Sequence, residues 1–297
     1  MKKIYISGCG GMLGDAFHEV FKTEHALKCT DIDVNAPWLS HLDVRDLDAY
    51  RNDVIDFRAD FLFHLAACTD MEDCERNPEN AWLTNAIGAE NAAYIANELG
   101  IPLLYISTAG IFDGHKQLFD DWDIPNPMSC YARSKYAGEL FVREHVRQHL
   151  VCRAGWMMGG GPARDKKFVQ KILRQLADGE TALKIVNDKF GSPTYTHDFA
   201  NNVRSLLKTQ WWGVYNMACD GLTSRVEIAQ AILELKGLTD RVSITPVPSS
   251  YFSKEYFAAR PPSECLVNAK LNLRGLNTMR NWKVALATYL EEGHLKA

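Results

Sequence analysis

Tyr131 and Lys135 stand four residues apart in Tyr-Ala-Arg-Ser-Lys, at the start of a stretch with helical spacing. Positions i and i+4 share a helix face, so the phenol and the ammonium point the same way. A phenol titrates near ~10 on its own, and a neighbouring cation favours the phenolate, which suits proton transfer near neutral pH. An exposed amphipathic helix presents the same pair, so its meaning comes from what accompanies it. Ser107 and Thr108 end an apolar, β-rich run, placing two hydroxyls at the carboxyl end of a strand, where ligands bind in open α/β sheets. Gly8, Gly11 and Gly14 follow the first apolar run directly and open the first helical one. A turn of positive φ, close backbone approach of a diphosphate, and tight packing of helix on strand each call for glycine. The N–H groups of Met12 and Leu13 then face an anion at a helix N-terminus. Asp31, with Asp33 two residues on, is placed to accept hydrogen bonds from an adenosine ribose. A carboxylate there repels a 2′-phosphate, so NAD is favoured over NADP.

Short β-rich runs at residues 3–7, 26–30, 61–65, 103–107 and 150–153 alternate with helical patterns at 13–22, 80–99 and 131–148. That rhythm predicts a parallel sheet flanked by helices. In 80–99, Leu83, Ile87, Ala92 and Ile95 recur at helical spacing, and Gly100 followed by Pro102 closes the helix. Beyond about residue 155 the pattern loosens. Gly159 to Pro162 marks a loop, and helices are expected at 166–177, 198–207, 224–236 and 278–292. Short strands are expected at 183–186, 214–217 and 242–245. The expected fold is therefore α/β: a Rossmann-type, doubly wound parallel sheet with a smaller C-terminal α/β substrate lobe. Residues 1–155 form the dinucleotide-binding domain, which also receives about 188–220. Residues 156–187 and 221–297 form the substrate lobe.

The 297 residues carry a formal charge of −4 and no basic stripe, which argues against nucleic acid as a partner. The densest basic run, 164–167, is interrupted by Asp165 and reads first as a solvated loop or a helix start, with contact to a phosphate as the alternative. None of the eight cysteines forms a C-x-x-C pair, and no Cys/His cluster has zinc spacing, so no metal is expected. Cysteines within apolar runs suit a reducing compartment. No apolar stretch is long enough for a membrane span, and the N-terminus has no signal-peptide pattern. The expected location is the cytoplasm, with no membrane partner.

Together these segments resemble the extended short-chain dehydrogenase/reductase family. Gly8, Gly11 and Gly14 match its G-x-x-G-x-x-G. Leu42-Asp43-Val44-Arg45-Asp46 is similar to its adenine-contacting segment, which puts Asp43 and Val44 at the base. His64-Leu65-Ala66-Ala67 resembles its H-x-A-A stretch, which runs Ala66 and Ala67 along the cofactor. Asn85 matches its structural and proton-relay asparagine, and Thr108, Tyr131 and Lys135 match its catalytic triad. Within the family, the dTDP-4-dehydrorhamnose reductase branch is most similar, through residues 106–114, 131–139 and 153–156. Asp188-Lys189-Phe190-Gly191-Ser192-Pro193-Thr194 and Ala259-Arg260-Pro261 extend the likeness.

The resemblance implies hydride transfer from NADH or NADPH to the C4 carbonyl of a nucleotide-linked deoxysugar. Tyr131 donates the proton, Thr108 bonds the same oxygen, and Lys135 holds the nicotinamide ribose. It places Thr69, Ser107, Thr108, Trp156, Phe190 and Arg260 at the substrate and leaves a homodimer open. One departure stands out: Ala109-Gly110 occupies the place where these reductases carry Asp-Tyr, and neither residue can act as acid or base. An NAD-dependent epimerase with the same triad, or a non-catalytic NAD(P)-binding regulatory subunit, are the competing expectations.

Overall fold

The computed structural model describes residues 1–295. Seven strands form its main sheet: β1 Lys2–Ser7, β2 His25–Asp31, β3 Leu39–His41, β4 Phe61–His64, β5 Leu103–Thr108, β6 His149–Ala154 and β7 Gly213–Asn216. Every neighbouring pair is parallel, in the spatial order β3-β2-β1-β4-β5-β6-β7. The order reverses between β1 and β4, and a crevice opens at the carboxyl ends of strands beside such a reversal.

Five helices cover the sheet: α1 Met12–Phe21, α2 Leu47–Phe57, α3 Gly88–Leu99, α4 Cys130–His145 and α5 Thr196–Thr209. α1 packs with α5 on one face, while α3 packs with α2 and α4 on the other. Because both faces are covered, the central strands bury consecutive residues. Ile4 and Ile6 join Phe17, Phe63, Leu104 and Phe199 in one core. Tyr5 turns the other way, to Tyr50, Leu62, Ala92, Tyr105 and Val142. This two-residue alternation fixes the register, since a slip by one would exchange the two cores.

The remaining chain builds a smaller lobe. Thr223–Ser224, Phe190–Gly191, Ser263–Leu266 and Leu118–Phe119 form a four-stranded sheet. Pro193–Tyr195 pairs with Trp156–Met158, and Ser243–Val247 pairs with Ala182–Val186. Helices Phe168–Ala177, Arg225–Leu235 and Trp282–Leu295 complete it. No helix among the described residues is long and apolar enough to cross a membrane.

The five strands expected in the first half are present, each within a residue or two of its predicted ends. β3, three residues long, is too short to show a period. The strand expected at 214–217 is β7, the last of the main sheet, paired with β6. The helix expected at 80–99 is interrupted: an α-turn at Pro78–Trp82 passes through a π-turn at Leu83–Ile87 before α3 begins. Hydrophobic spacing cannot reveal that extra residue in the turn. Gly100 closes α3 at φ 65°, its N–H bonding the Ala96 and Asn97 carbonyls.

Candidate active site

A cleft of about 1300 Å³ opens beside the sheet's reversal and runs into the smaller lobe. At one end lies the glycine turn. Gly8 sits at φ 77°, and a Cβ there would come within 2.2 Å of the Ala66 nitrogen. A Cβ on Gly14 would lie 1.8 Å from the Cys9 carbonyl oxygen, so helix and strand meet only because it has none. Gly11 differs: a Cβ there would meet no protein atom within 4 Å, because the residue faces the open cleft. As the N-cap of α1 it offers no side chain to the first-turn N–H groups. Those groups, Met12 and Leu13 among them, line the cleft and lack partners within the helix.

Asp31 lines the same end. Its two oxygens accept from Gly10 N (2.8 Å) and Asp33 N (3.0 Å), so it braces the turn while keeping acceptor capacity on its outer lone pairs. Asp43 and Val44 also line the cleft. Both Asp43 oxygens lie 2.9 Å from Arg45 Nε, and that guanidinium holds the carboxyl below its usual range. Ala66 and Ala67 line the middle of the cleft.

Farther along, β5 delivers Thr108 and α4 delivers Tyr131 and Lys135 to the same cavity. Ser129 caps α4 by accepting from Ala132 N at 3.2 Å, which starts the helix at Cys130, one residue before the phenol. The Tyr131 phenol lies close enough to the Thr108 hydroxyl to be influenced by it. Burial nevertheless pushes the phenol up to about 12, with Thr108 opposing and the Glu264 carboxylate reinforcing the rise. The sequence expectation that a neighbouring ammonium depresses it is thus corrected: withdrawal from water dominates. Burial acts on Lys135 as well, lowering it to about 7 against the pull of Glu139. Its ammonium lies 4.1 Å from the Tyr105 ring centroid.

Behind this pair stands a layer that fixes its position. Asn85, in the π-turn, accepts from Cys68 N (2.8 Å) and donates to Cys68 O (3.1 Å) and Ser134 Oγ (3.0 Å). Ser134 in turn donates to the Tyr131 carbonyl. Asn85 is fully buried and does not line the cleft, so it ties α4 to the loop after β4 instead of facing a ligand directly. Gly138 lets α4 approach: a Cβ would stand 2.6 Å from Asn85 O and 2.8 Å from the Tyr105 hydroxyl. Ser107 donates to Glu139 Oε2 (2.6 Å), and Glu139 also pairs with buried Arg153 at 2.6 Å. Its hydroxyl is therefore committed within the protein. His64 bonds Ser7 Oγ at 3.1 Å, and burial, aided by Lys135, drives its imidazole down to about 3.

In the smaller lobe, Trp156 donates its indole N–H to Glu264 Oε2 at 2.6 Å. Arg225 lies 4.1 Å from the Trp156 ring and 4.7 Å from that of Phe168. Arg260 lines the cleft but is held by Glu72 through two bonds of 2.7 and 2.9 Å. Thr69, also on the wall, receives Lys167 Nζ at 3.0 Å on its carbonyl. Phe190 is not among the lining residues; it lies on the strand that pairs with Thr223–Ser224 and Ser263–Leu266.

Residues 1–295 match the family described as the RmlD substrate binding domain. The chain belongs to this family. It is 30% identical to the spore coat polysaccharide biosynthesis protein SpsK of Bacillus subtilis, covering 98% of both chains. It is 32% identical to dTDP-4-dehydrorhamnose reductase of Mycobacterium tuberculosis, over 97% of this chain and 92% of that one. Among solved structures, the Clostridium acetobutylicum dTDP-4-dehydrorhamnose reductase superposes with a TM-score of 0.89 at 30% identity, covering 97% of this chain and 98% of that one. The Bacillus anthracis reductase, solved in complex with NADP, gives 0.88 at 28% identity, with 98% and 99% covered.

Within this RmlD-type frame, two cleft residues, Arg225 and Glu264, escaped the sequence reading, and Arg164 was read only as part of a short basic run. Arg164 reaches from the smaller lobe to the glycine turn, pairing with Asp15 and donating to Asn35 Oδ1 at 3.0 Å. Arg225 occupies the first turn of its helix, where the dipole disfavours a cation, and that misfit was a legible signal. Glu264 gave none: its partner Trp156 is 108 residues away.

Proposed function

We propose that this chain reduces the C4 carbonyl of a dTDP-linked 4-keto-6-deoxyhexose, with NADH or NADPH as the reductant. The observation that carries the reading is the Tyr131–Thr108 hydroxyl pair, opening into the cleft that begins at the glycine turn. Similarity to the named reductases over nearly the whole chain supports the substrate class.

The residues present fit a nicotinamide dinucleotide. Gly11 leaves open space, the first-turn N–H groups of α1 suit a diphosphate, and Asp31 suits a ribose diol. That cofactor supplies the hydride when bound. Asp31 favours NAD, and the nearby Arg164 is already paired with Asp15. Lys135 is placed to hold a ribose, and Ala66 and Ala67 give the cofactor a smooth wall.

Tyr131 holds the proton. Its phenol stays protonated at neutral pH and gives that proton to the oxygen that gains charge as the carbonyl is reduced. Thr108 bonds the same oxygen, and Asn85 with Gly138 keeps α4 at the distance this requires. Proton donation of this kind contributes roughly 10²–10⁴ in rate. Arg225, to which no carboxylate among the described residues is hydrogen-bonded, is better placed than Arg260 to meet the substrate diphosphate, because Glu72 already neutralises Arg260. The unit built on the main sheet, with α5 and β7 from the segment expected at 188–220, holds the dinucleotide, and the smaller lobe, which keeps Phe190–Gly191 and Pro193–Tyr195, holds the sugar nucleotide. A cytoplasmic location suits the eight unpaired cysteines.

The test is oxidation of NADH and NADPH in the presence of a panel of nucleotide-linked 4-keto sugars. Substrate-dependent consumption of the reduced cofactor with the dTDP-linked 6-deoxy compound is expected. Conversion of a sugar nucleotide without net consumption would mark an epimerase, and no conversion at all would mark the chain as non-catalytic.

A further inference from the structure

Ala109 and Gly110 leave the strand end beyond Thr108 without any acidic or hydrogen-bonding side chain. A carboxylate reaches this place from elsewhere. The point where a Gly110 Cβ would stand is 3.3 Å from Glu264 Oε1 and 3.4 Å from Thr108 Oγ1. The acid and the catalytic hydroxyl therefore face each other across Gly110, whose missing side chain leaves that gap open. Any larger residue at 110 would compete with Glu264 for the space.

The Glu264 side chain is oriented, not loose. Oε2 is fixed by the Trp156 indole N–H, and the Trp156 ring is clamped between the backbone of Gly191 and the guanidinium of Arg225. Arg225, over the same indole, is also attracted to the Glu264 carboxylate. Oε1 accepts no hydrogen bond from the described residues and lines the cleft beside Tyr131 and Thr108.

The geometry points to Glu264 as the specificity-determining acceptor of this site: Oε1 takes a hydrogen bond from a hydroxyl on the sugar carbon next to the reacting carbonyl. The inference rests on the reductase reading for the identity of the sugar. Thr108 and Tyr131 hold the carbonyl oxygen, and the donor that meets an acceptor just across Gly110 sits one carbon along the ring. An ionised acceptor recognises only donors, so a ring that is deoxygenated or methylated at that carbon leaves the carboxylate desolvated and unpaired, the strongest ground for rejection.

Glu264→Gln separates this role from simple support of Trp156. The amide oxygen can still accept from the indole, while the other position becomes a donor and can no longer accept. Calorimetric affinities for dTDP-rhamnose and its 3-deoxy analogue, measured on the wild type and on Glu264→Gln, read recognition without turnover. The wild type should prefer the hydroxylated ligand by about 10–100-fold. In Glu264→Gln that preference should collapse to within about 3-fold, with the thermal midpoint unchanged. Equal preference in the two proteins overturns the proposal, as does a wild type indifferent to the hydroxyl. NADPH oxidation with the 4-keto substrate, run alongside, reports separately on the reductase reading.

Discussion

The Tyr131 phenol, held up to about 12, keeps its proton at neutral pH, whereas Lys135, lowered to about 7, lies near half charge there. A buried pair of this kind is stocked to give a proton away, which suits carbonyl reduction better than alcohol oxidation. An anionic dinucleotide beside Lys135 favours its ammonium. Cofactor binding above pH about 7 should therefore take up protons, measurable by calorimetry in buffers of different ionisation enthalpy, and Lys135→Met should abolish the uptake. His64 makes a separate prediction. Its folded value, about 3, lies below its ordinary 6.5, so the unfolded chain binds a proton that the folded chain refuses. The stability tied to His64 is complete above pH 6.5 and declines as pH falls from 6.5 toward about 3. In urea titrations across this window, the midpoint of His64→Gln should depend less on pH than that of the wild type.

At the scale of elements, the three motif glycines serve different ends, and two substitutions separate them. A methyl at position 14 meets the Cys9 carbonyl within 1.8 Å, so Gly14→Ala should destabilise the fold. A loss of about 1–3 kcal/mol or more is expected by chemical unfolding, the usual cost of forcing atoms into a packed contact. A methyl at position 11 meets nothing in the protein. Gly11→Ala should melt with the wild type and bind the dinucleotide at least ~10-fold more weakly by calorimetry, as a diphosphate needing close backbone approach requires. Local pattern made these elements legible. The glycine turn, the strand ending at Thr108 and the Tyr131/Lys135 face each lie within a dozen residues of sequence, where period and turn chemistry act. The π-turn around Asn85 was not legible, because one added residue within a helix leaves apolar spacing nearly intact.

For the whole molecule, what the sequence left unread is what distant segments do to one another. Arg260 is claimed by Glu72, 188 residues away, and Glu264 by Trp156, 108 residues away. No local rule predicts such partners. The same contacts, with Arg164 on Asp15 and Lys167 on Thr69, draw the smaller lobe over the cleft. A ligand that fills the cleft binds the folded state alone, so dinucleotide at ~100 times its dissociation constant should add about 2.7 kcal/mol of stability, visible as a rise in the thermal midpoint. The central claim is that Tyr131 gives its proton to a sugar-nucleotide carbonyl within this cleft. Its most direct test compares wild type and Tyr131→Phe in NADPH oxidation driven by a dTDP-linked 4-keto-6-deoxyhexose, with cofactor affinity measured on both. The account predicts turnover lower by roughly 10²–10⁴ in the variant, with cofactor affinity kept within about 3-fold. Undiminished turnover by Tyr131→Phe would contradict it.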